Sequence, residues 1–457
     1  MIIGKLKLLL ASGFIIIPGY YFFLRHGVDY DADSRGWELS ADKRIEQYRK
    51  GDIIIKINQP GTYSIKIEQL THAFSFGSAV QASMILDSTE NGEKYRGIIK
   101  KYFNEVVFEN DLKWPSWRDD KYGKFDKTKT LKALDWLNRN GIKVRGHYLV
   151  WCPLQPYEKF YSIISEDIYK NPVLFKQALI KHIDEILKAT NSKISEWDLL
   201  NHPVTRTQRF QVANENGKML ITDYVGKEFY EEIFRRVKED NMDLQLNVNE
   251  GDILTRKADK KEAYYNLIKD LRSKGVSLGG IGFMGHCRSD DLPEIENVQK
   301  TLTEFSKFKL PMKITEFDVL FGQMNEHYEL SEEESKLQSD FTRDFMKICF
   351  SNPAVDGFIM WGFWEKAHWY PSSALWDKDW NLKPNGKAIL DLMFKSYWSE
   401  FDLKNINNHK VKFRGFLGKY SIIIRDEKGS EVYSSKFELT RKGVRLNIEL
   451  SKCQTNN

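Results

Sequence analysis

The sequence predicts an α/β protein, a (β/α)8 TIM barrel with a small β-sandwich-like accessory module formed by N- and C-terminal strands. Three observations carry this expectation. Eight short β-rich runs alternate with amphipathic helical stretches between residues 73 and 363, as repeated strand–helix units of a parallel sheet do. Each run is apolar at its start, and seven of the eight end in charged, amide, imidazole or indole side chains, the pattern of strands whose C-terminal ends line the mouth of a barrel. Short alternating strands of a different character flank this region on both sides.

The chain has 457 residues, more than one ordinary compact domain, and is 41% hydrophobic and 29% charged, as folded globular proteins are. The formal charge of +5, from 69 basic and 64 acidic residues evenly scattered, argues against a nucleic-acid partner. Residues 1–27 form the first segment, in which Lys5 and Lys7 precede an apolar run over residues 8–24 that Arg25 and His26 close. That run approaches the ~20 apolar residues needed to span a bilayer, and no small-x-small cleavage site follows it. A signal-anchor in the membrane is expected, with everything after Arg25 outside the cytoplasm; cleavage would make the protein secreted instead.

Residues 28–70 read as a polar stretch, a helix near residues 41–49, and a β-hairpin, IIIKINQPGTYSIKIEQL, turning at Pro60-Gly61. The barrel is expected over residues 71–398. Its runs are AFSFGSAV (73–80), FNEVVFEN (103–110), VRGHYLVW (144–151), SEWDLLNH (195–202), LQLNVNE (244–250), GIGFMGHC (280–287), MKITEFDV (312–319) and DGFIMWGF (356–363). Helical spacing of apolar residues marks the intervening segments 130–141, 174–189, 227–240, 260–275 and 334–350. Residues 399–457 read as a small β-module of alternating segments separated by Gly-containing turns, with few surface aromatics, which favours structural capping over sugar binding.

The 12 Trp and 21 Tyr exceed what packing needs, and flat apolar rings suit stacking on sugar faces. Cys152, Cys287, Cys349 and Cys453 have no paired spacing, so they read as free thiols rather than zinc ligands or a disulfide framework. No metal or organic cofactor is implied.

The strand ends carry ordered short motifs. They are Glu109-Asn110 with Lys113-Trp114, Arg145-Gly146-His147 with Leu149-Val150-Trp151, and Trp197-Asp198 with Asn201. Asn249-Glu250, Ile281-Gly282 with Gly285-His286, Thr315-Glu316 with Asp318, and Trp361-Gly362 with Trp369 follow. Over roughly residues 70–395 this series resembles glycoside hydrolase family 10, the endo-β-1,4-xylanases. The resemblance implies a β-linked polysaccharide substrate and gives Glu316 the role of nucleophile. A retaining glycosidase needs one carboxylate to trap the sugar and a second acidic group ~5 Å away to protonate the leaving oxygen. By the same resemblance His286 orients the nucleophile, Asn110, Lys113, His147, Trp151 and Asn201 form sugar subsites with Asn201 at the 2-hydroxyl, and Trp361 and Trp369 make an apolar floor.

The sequence departs from the family at the other catalytic position, where His202, followed by Pro203, stands in place of the acid/base Glu. Imidazoles titrate near neutral pH and are able to donate a proton. Three readings follow: His202 is an unusual acid/base, the substrate has a leaving group that needs little protonation, or the chain binds glycans at the cell envelope without cleaving them. Cys152, Gly251 and Met284 also stand where the family usually has His, Tyr and Gln, so remodelled subsites are expected. Glu365 is a spare carboxylate in the loop after Trp361, read as solvated.

Overall fold

The computed structural model of the chain describes residues 36–118, 126–155, 160–205, 219–407 and 410–450. Sixteen strands are present among them: β1 Lys50–Ile57, β2 Tyr63–His72, β3 Ser75–Val80, β4 Glu105–Phe108, β5 Lys143–Trp151, β6 Glu196–Asn201, β7 Gln245–Glu250 and β8 Gly280–Phe283. The remainder are β9 His286–Arg288, β10 Met312–Leu320, β11 Val355–Met360, β12 Glu400–Ile406, β13 Lys410–Phe416, β14 Gly418–Arg425, β15 Glu431–Leu439 and β16 Val444–Ile448. The expected anchor at residues 1–27 and Cys453 lie outside the described residues. No helix among those described is long and apolar enough to cross a membrane.

Eight strands, β3 to β8, β10 and β11, pair in parallel, and β11 returns to β3 and β10 to close the barrel. All eight expected runs form strands, and helices Lys127–Arg139, Pro172–Thr190, Phe229–Asp240, Lys261–Ser273 and Glu332–Ser351 occupy the expected intervening segments. The sixth run is divided. Met284 and Gly285 separate β8 from a short β9 that pairs with the far end of β10, His286 opposite Asp318. A Cβ at Gly285 would come within 3.0 Å of Phe317 Cδ2 and 3.1 Å of Ile314 Cγ2, so the break passes only over a glycine.

The barrel interior is filled in part by charge. Lys313 Nζ donates to Glu105 (2.6 Å) and Glu196 (2.7 Å), and Arg145 bonds Glu196 (2.8 Å) and Asp198. Each of these groups thus has a partner of opposite charge within the floor. Of the tryptophans, Trp37, Trp114, Trp117, Trp197, Trp361, Trp364 and Trp376 are buried.

The accessory module differs from the expectation in one respect. The expected hairpin at residues 28–70 does not form: β1 pairs with β13 and β16, whereas β2 pairs with β12 and β14. The turn at Pro60-Gly61 carries the chain from one sheet to the other. Both strands alternate buried isoleucines on one face, and placing them in opposed sheets lets Ile53, Ile55 and Ile57 meet Ile65, Ile67, Ile422 and Ile424 in a shared core. The N- and C-terminal strands thus build one sandwich of three and four strands. It docks at the N-terminal end of the barrel strands, where buried Arg49 donates to the carbonyls of Phe350 (2.5 Å), Asn352 (2.6 Å) and Val355 (2.6 Å).

Candidate active site

The C-terminal strand ends bring the polar residues of the sequence together. Glu316, in β10, is buried, and its Oε1 accepts from Asn249 Nδ2 at 2.8 Å while Oε2 lies 3.2 Å from His286 Nε2. His147 Nε2 stands 4.0 Å from Oε1. Burial pushes the Glu316 carboxyl up, but His147, His286 and His202 more than reverse this and hold it at about 2. The group is therefore ionised under all ordinary conditions.

Each histidine is oriented by a carboxylate behind it. His286 Nδ1 meets Asp318 at 2.8 Å, and His147 Nδ1 meets Asp198 at 3.0 Å. Burial lowers the proton affinity of His286, yet Asp318 and Glu316 overcome this and raise it to about 10. Burial pushes the Asp318 carboxyl up in turn, against His286 and the Trp369 indole, which donates to it at 2.7 Å. Register shifts between His147 and Val150 in β5, and between Asp198 and Leu200 in β6, re-aim the side chains at the mouth.

Around this centre Asn201 Oδ1 accepts from Asn249 Nδ2 (2.9 Å), and Lys113 Nζ donates to Asn110 Oδ1 (2.8 Å) while lying 6.0 Å above the Trp361 ring. Burial lowers the proton affinity of Lys113, and Glu109 and Glu316 act against it. Trp361 presents its ring edge-on to His147 (5.3 Å) and His286 (5.9 Å), and the Trp369 ring lies 4.9 Å from His286. His202 follows β6 with a left-handed backbone (φ 57°). Its ring stands edge-on to Trp151 at 4.9 Å, and its Nδ1 lies 3.0 Å from Glu250.

All ten residues expected at the site therefore lie on one face of the barrel. Glu365 does not join them; it pairs with His327 (3.0 Å) and accepts from the Lys378 amide (3.0 Å) in the outer loop. Four further groups complete the site: Asn249, which bridges Asn201 and Glu316, and the carboxylates Asp198, Asp318 and Glu250. Each belongs to a motif at a strand end, and that placement was the available signal. Cys152, Cys287 and Cys349 are buried free thiols.

Residues 66–392 match the family described as Glycosyl hydrolase family 10. The anti-sigma-I factor RsgI6 of Acetivibrio thermocellus is 27% identical over 399 residues, covering 85% of this chain and 46% of its own. Endo-1,4-beta-xylanase 1 of Arabidopsis thaliana is 26% identical, over 85% of this chain and 38% of its own. The chain thus spans less than half the length of these two relatives. Endo-1,4-beta-xylanase B of Thermotoga neapolitana is 26% identical over 73% of this chain and 93% of its own. Among solved structures, xylanase 10B from Thermotoga petrophila RKU-1 in complex with xylobiose superposes with a TM-score of 0.59 at 27% identity, over 71% of this chain and 95% of that one. Because the match runs from within β2 to the helix after β11 and so takes in the whole barrel with its mouth, the chain belongs to glycosyl hydrolase family 10.

Proposed function

We propose that the chain is a retaining glycoside hydrolase of a β-linked, xylan-like polysaccharide, with Glu316 as nucleophile and His202 in the position of the acid/base. The observation that carries this reading is the Glu316 carboxylate, buried, kept ionised at about 2 and held by Asn249 and His286 at the barrel mouth. A buried carboxylate aimed into a cleft with an ionised ground state suits attack on an oxocarbenium-like sugar. The xylanase relatives support the substrate class. The segment at residues 8–24 would hold the barrel at the outer face of the membrane, and recovery of a soluble chain starting near residue 25–30 would contradict that.

The test uses two substrates. An aryl β-xyloside, whose leaving group needs no proton, is expected to be cleaved by the wild type and not by Glu316→Gln, with the fold unchanged by circular dichroism. On xylan, His202→Ala is expected to lose ~10²–10⁴-fold, the usual contribution of general acid catalysis, while retaining aryl xyloside cleavage. His202→Glu is expected to raise xylan cleavage. If neither wild type nor His202→Glu cleaves any glycan tested, the hydrolase reading fails. A second reading, a non-catalytic glycan-binding protein of the cell envelope, then takes its place; it is favoured by the histidine at position 202 and by the likeness to a protein named as an anti-sigma factor.

A further inference from the structure

We propose that Glu250 is the positioning residue for His202, the two forming a histidine–carboxylate pair that holds the imidazole in place, with Nδ1 turned to the carboxylate, for delivery of a proton to the leaving oxygen. The proposal deepens the hydrolase reading and rests on it for the delivery step.

Glu250 is fully buried at the end of β7, and its carboxylate is gripped from several sides. Oε2 accepts from the Val204 amide (2.9 Å), and Oε1 accepts from the Gly251 amide (2.9 Å) and Thr205 Oγ1 (2.7 Å), with His202 Nδ1 at 3.0 Å. Lys260 Nζ stands 3.8 Å from Oε1, donates to Thr205 Oγ1 at 2.8 Å and pairs with Asp252 at 2.8 Å. Burial pushes the Glu250 carboxyl up, but His202, Lys260 and Thr205 more than offset it, so the group stays ionised. An ionised acceptor at Nδ1 keeps a proton on that nitrogen, which assigns the transfer to Nε2.

The left-handed turn at His202 is what folds Val204 and Thr205 back onto Glu250. The ring then occupies space that position 251 leaves open. A Cβ on Gly251 would lie 3.5 Å from His202 Cε1 and 3.3 Å from Met284 Sδ, so a large side chain there would strike both. The departures at 202, 251 and 284 are thus one contact cluster rather than three separate changes. Among the described residues, charged groups near the imidazole include Glu250 from β7, Lys260 and Asp252 beyond it, and Glu316 from β10; the Cys152 thiol after β5, pushed up by burial, is neutral.

In the first step a Glu316 oxygen bonds to the anomeric carbon while the glycosidic C–O bond breaks. Its electron pair goes to the leaving oxygen, which takes the proton from Nε2. Water then replaces Glu316 at the anomeric carbon and returns a proton to Nε2, and Glu250 remains a carboxylate throughout.

The test is the NMR titration of the His202 imidazole in the intact protein, together with the pH profile of kcat/KM on xylan. Glu250→Gln removes the anionic partner and is expected to move the imidazole midpoint and the alkaline limb down by about one to three pH units. Lys260→Met removes a competing cation and is expected to move both upward. A merely structural role of Glu250 would leave the midpoint unmoved in Glu250→Gln, and if that variant fails to fold, the 15N shifts of the wild-type His202 ring decide, an unprotonated Nδ1 in the neutral ring overturning the pairing. Unmoved midpoints in folded variants would overturn the pairing. A wild type inert on xylan and aryl xyloside alike would remove the hydrolase reading and the delivery step with it, while the titration would still decide whether Glu250 sets the charge of His202.

Discussion

At the residue scale the site is a set of histidines, each backed by a carboxylate, arranged about one buried anion. This arrangement has a consequence for stability. His286 is held at about 10, against ~6.5 for an unfolded histidine, so its pairing stabilises the fold fully below pH 6.5 and is lost as pH rises through 10. Glu316, held at about 2 against ~4.3 unfolded, contributes above pH 4.3 and loses its contribution as pH falls towards 2. The unfolding free energy is expected to decline between about pH 6.5 and 10, and His286→Gln to flatten that slope; denaturant unfolding across a pH series checks it. Glu316, His286 and Asn201 were legible in the sequence because short motifs mark them. The bridge through Asn249 was not, since its partners lie 48 and 67 positions away and only barrel closure brings them into contact.

At the element scale the interruption between β8 and β9 aims His286 at Glu316, and it depends on the close approach of Gly285 to Phe317. Gly285→Ala is expected to destabilise the protein by about 1–3 kcal/mol through overpacking and to lower activity by displacing the imidazole. The charged floor makes a larger demand. Lys313→Met would leave Glu105 and Glu196 facing each other without their shared cation, at a cost of about 3–5 kcal/mol measurable by urea unfolding. The barrel helices were legible because apolar spacing records which face is buried. Strands β1 and β2 read as a hairpin because alternation is the same whether two strands pair side by side or oppose one another across a core. Their actual neighbours come from residues 400–448.

At the scale of the whole molecule the sandwich sits at the barrel end away from the mouth, which fits capping better than sugar binding. Arg49 is its clamp, with the guanidinium over the rings of Phe74 (5.0 Å) and Phe350 (4.8 Å) and bonded to three carbonyls. Arg49→Ala is expected to cost about 3 kcal/mol, from buried carbonyls left without donors, and to leave aryl xyloside cleavage intact. Calorimetry and activity on the same sample check both. The sequence by itself determined the strand–helix alternation, the polar strand ends and the family motifs, because periodicity and short motifs are written in neighbouring residues. Tertiary structure alone decided that β1 and β2 part into two sheets, that His202, Gly251 and Met284 meet at one point, and that Glu250 stands behind His202. Those relations join residues distant in sequence, and only closure of the barrel and burial of the isoleucine faces bring them together.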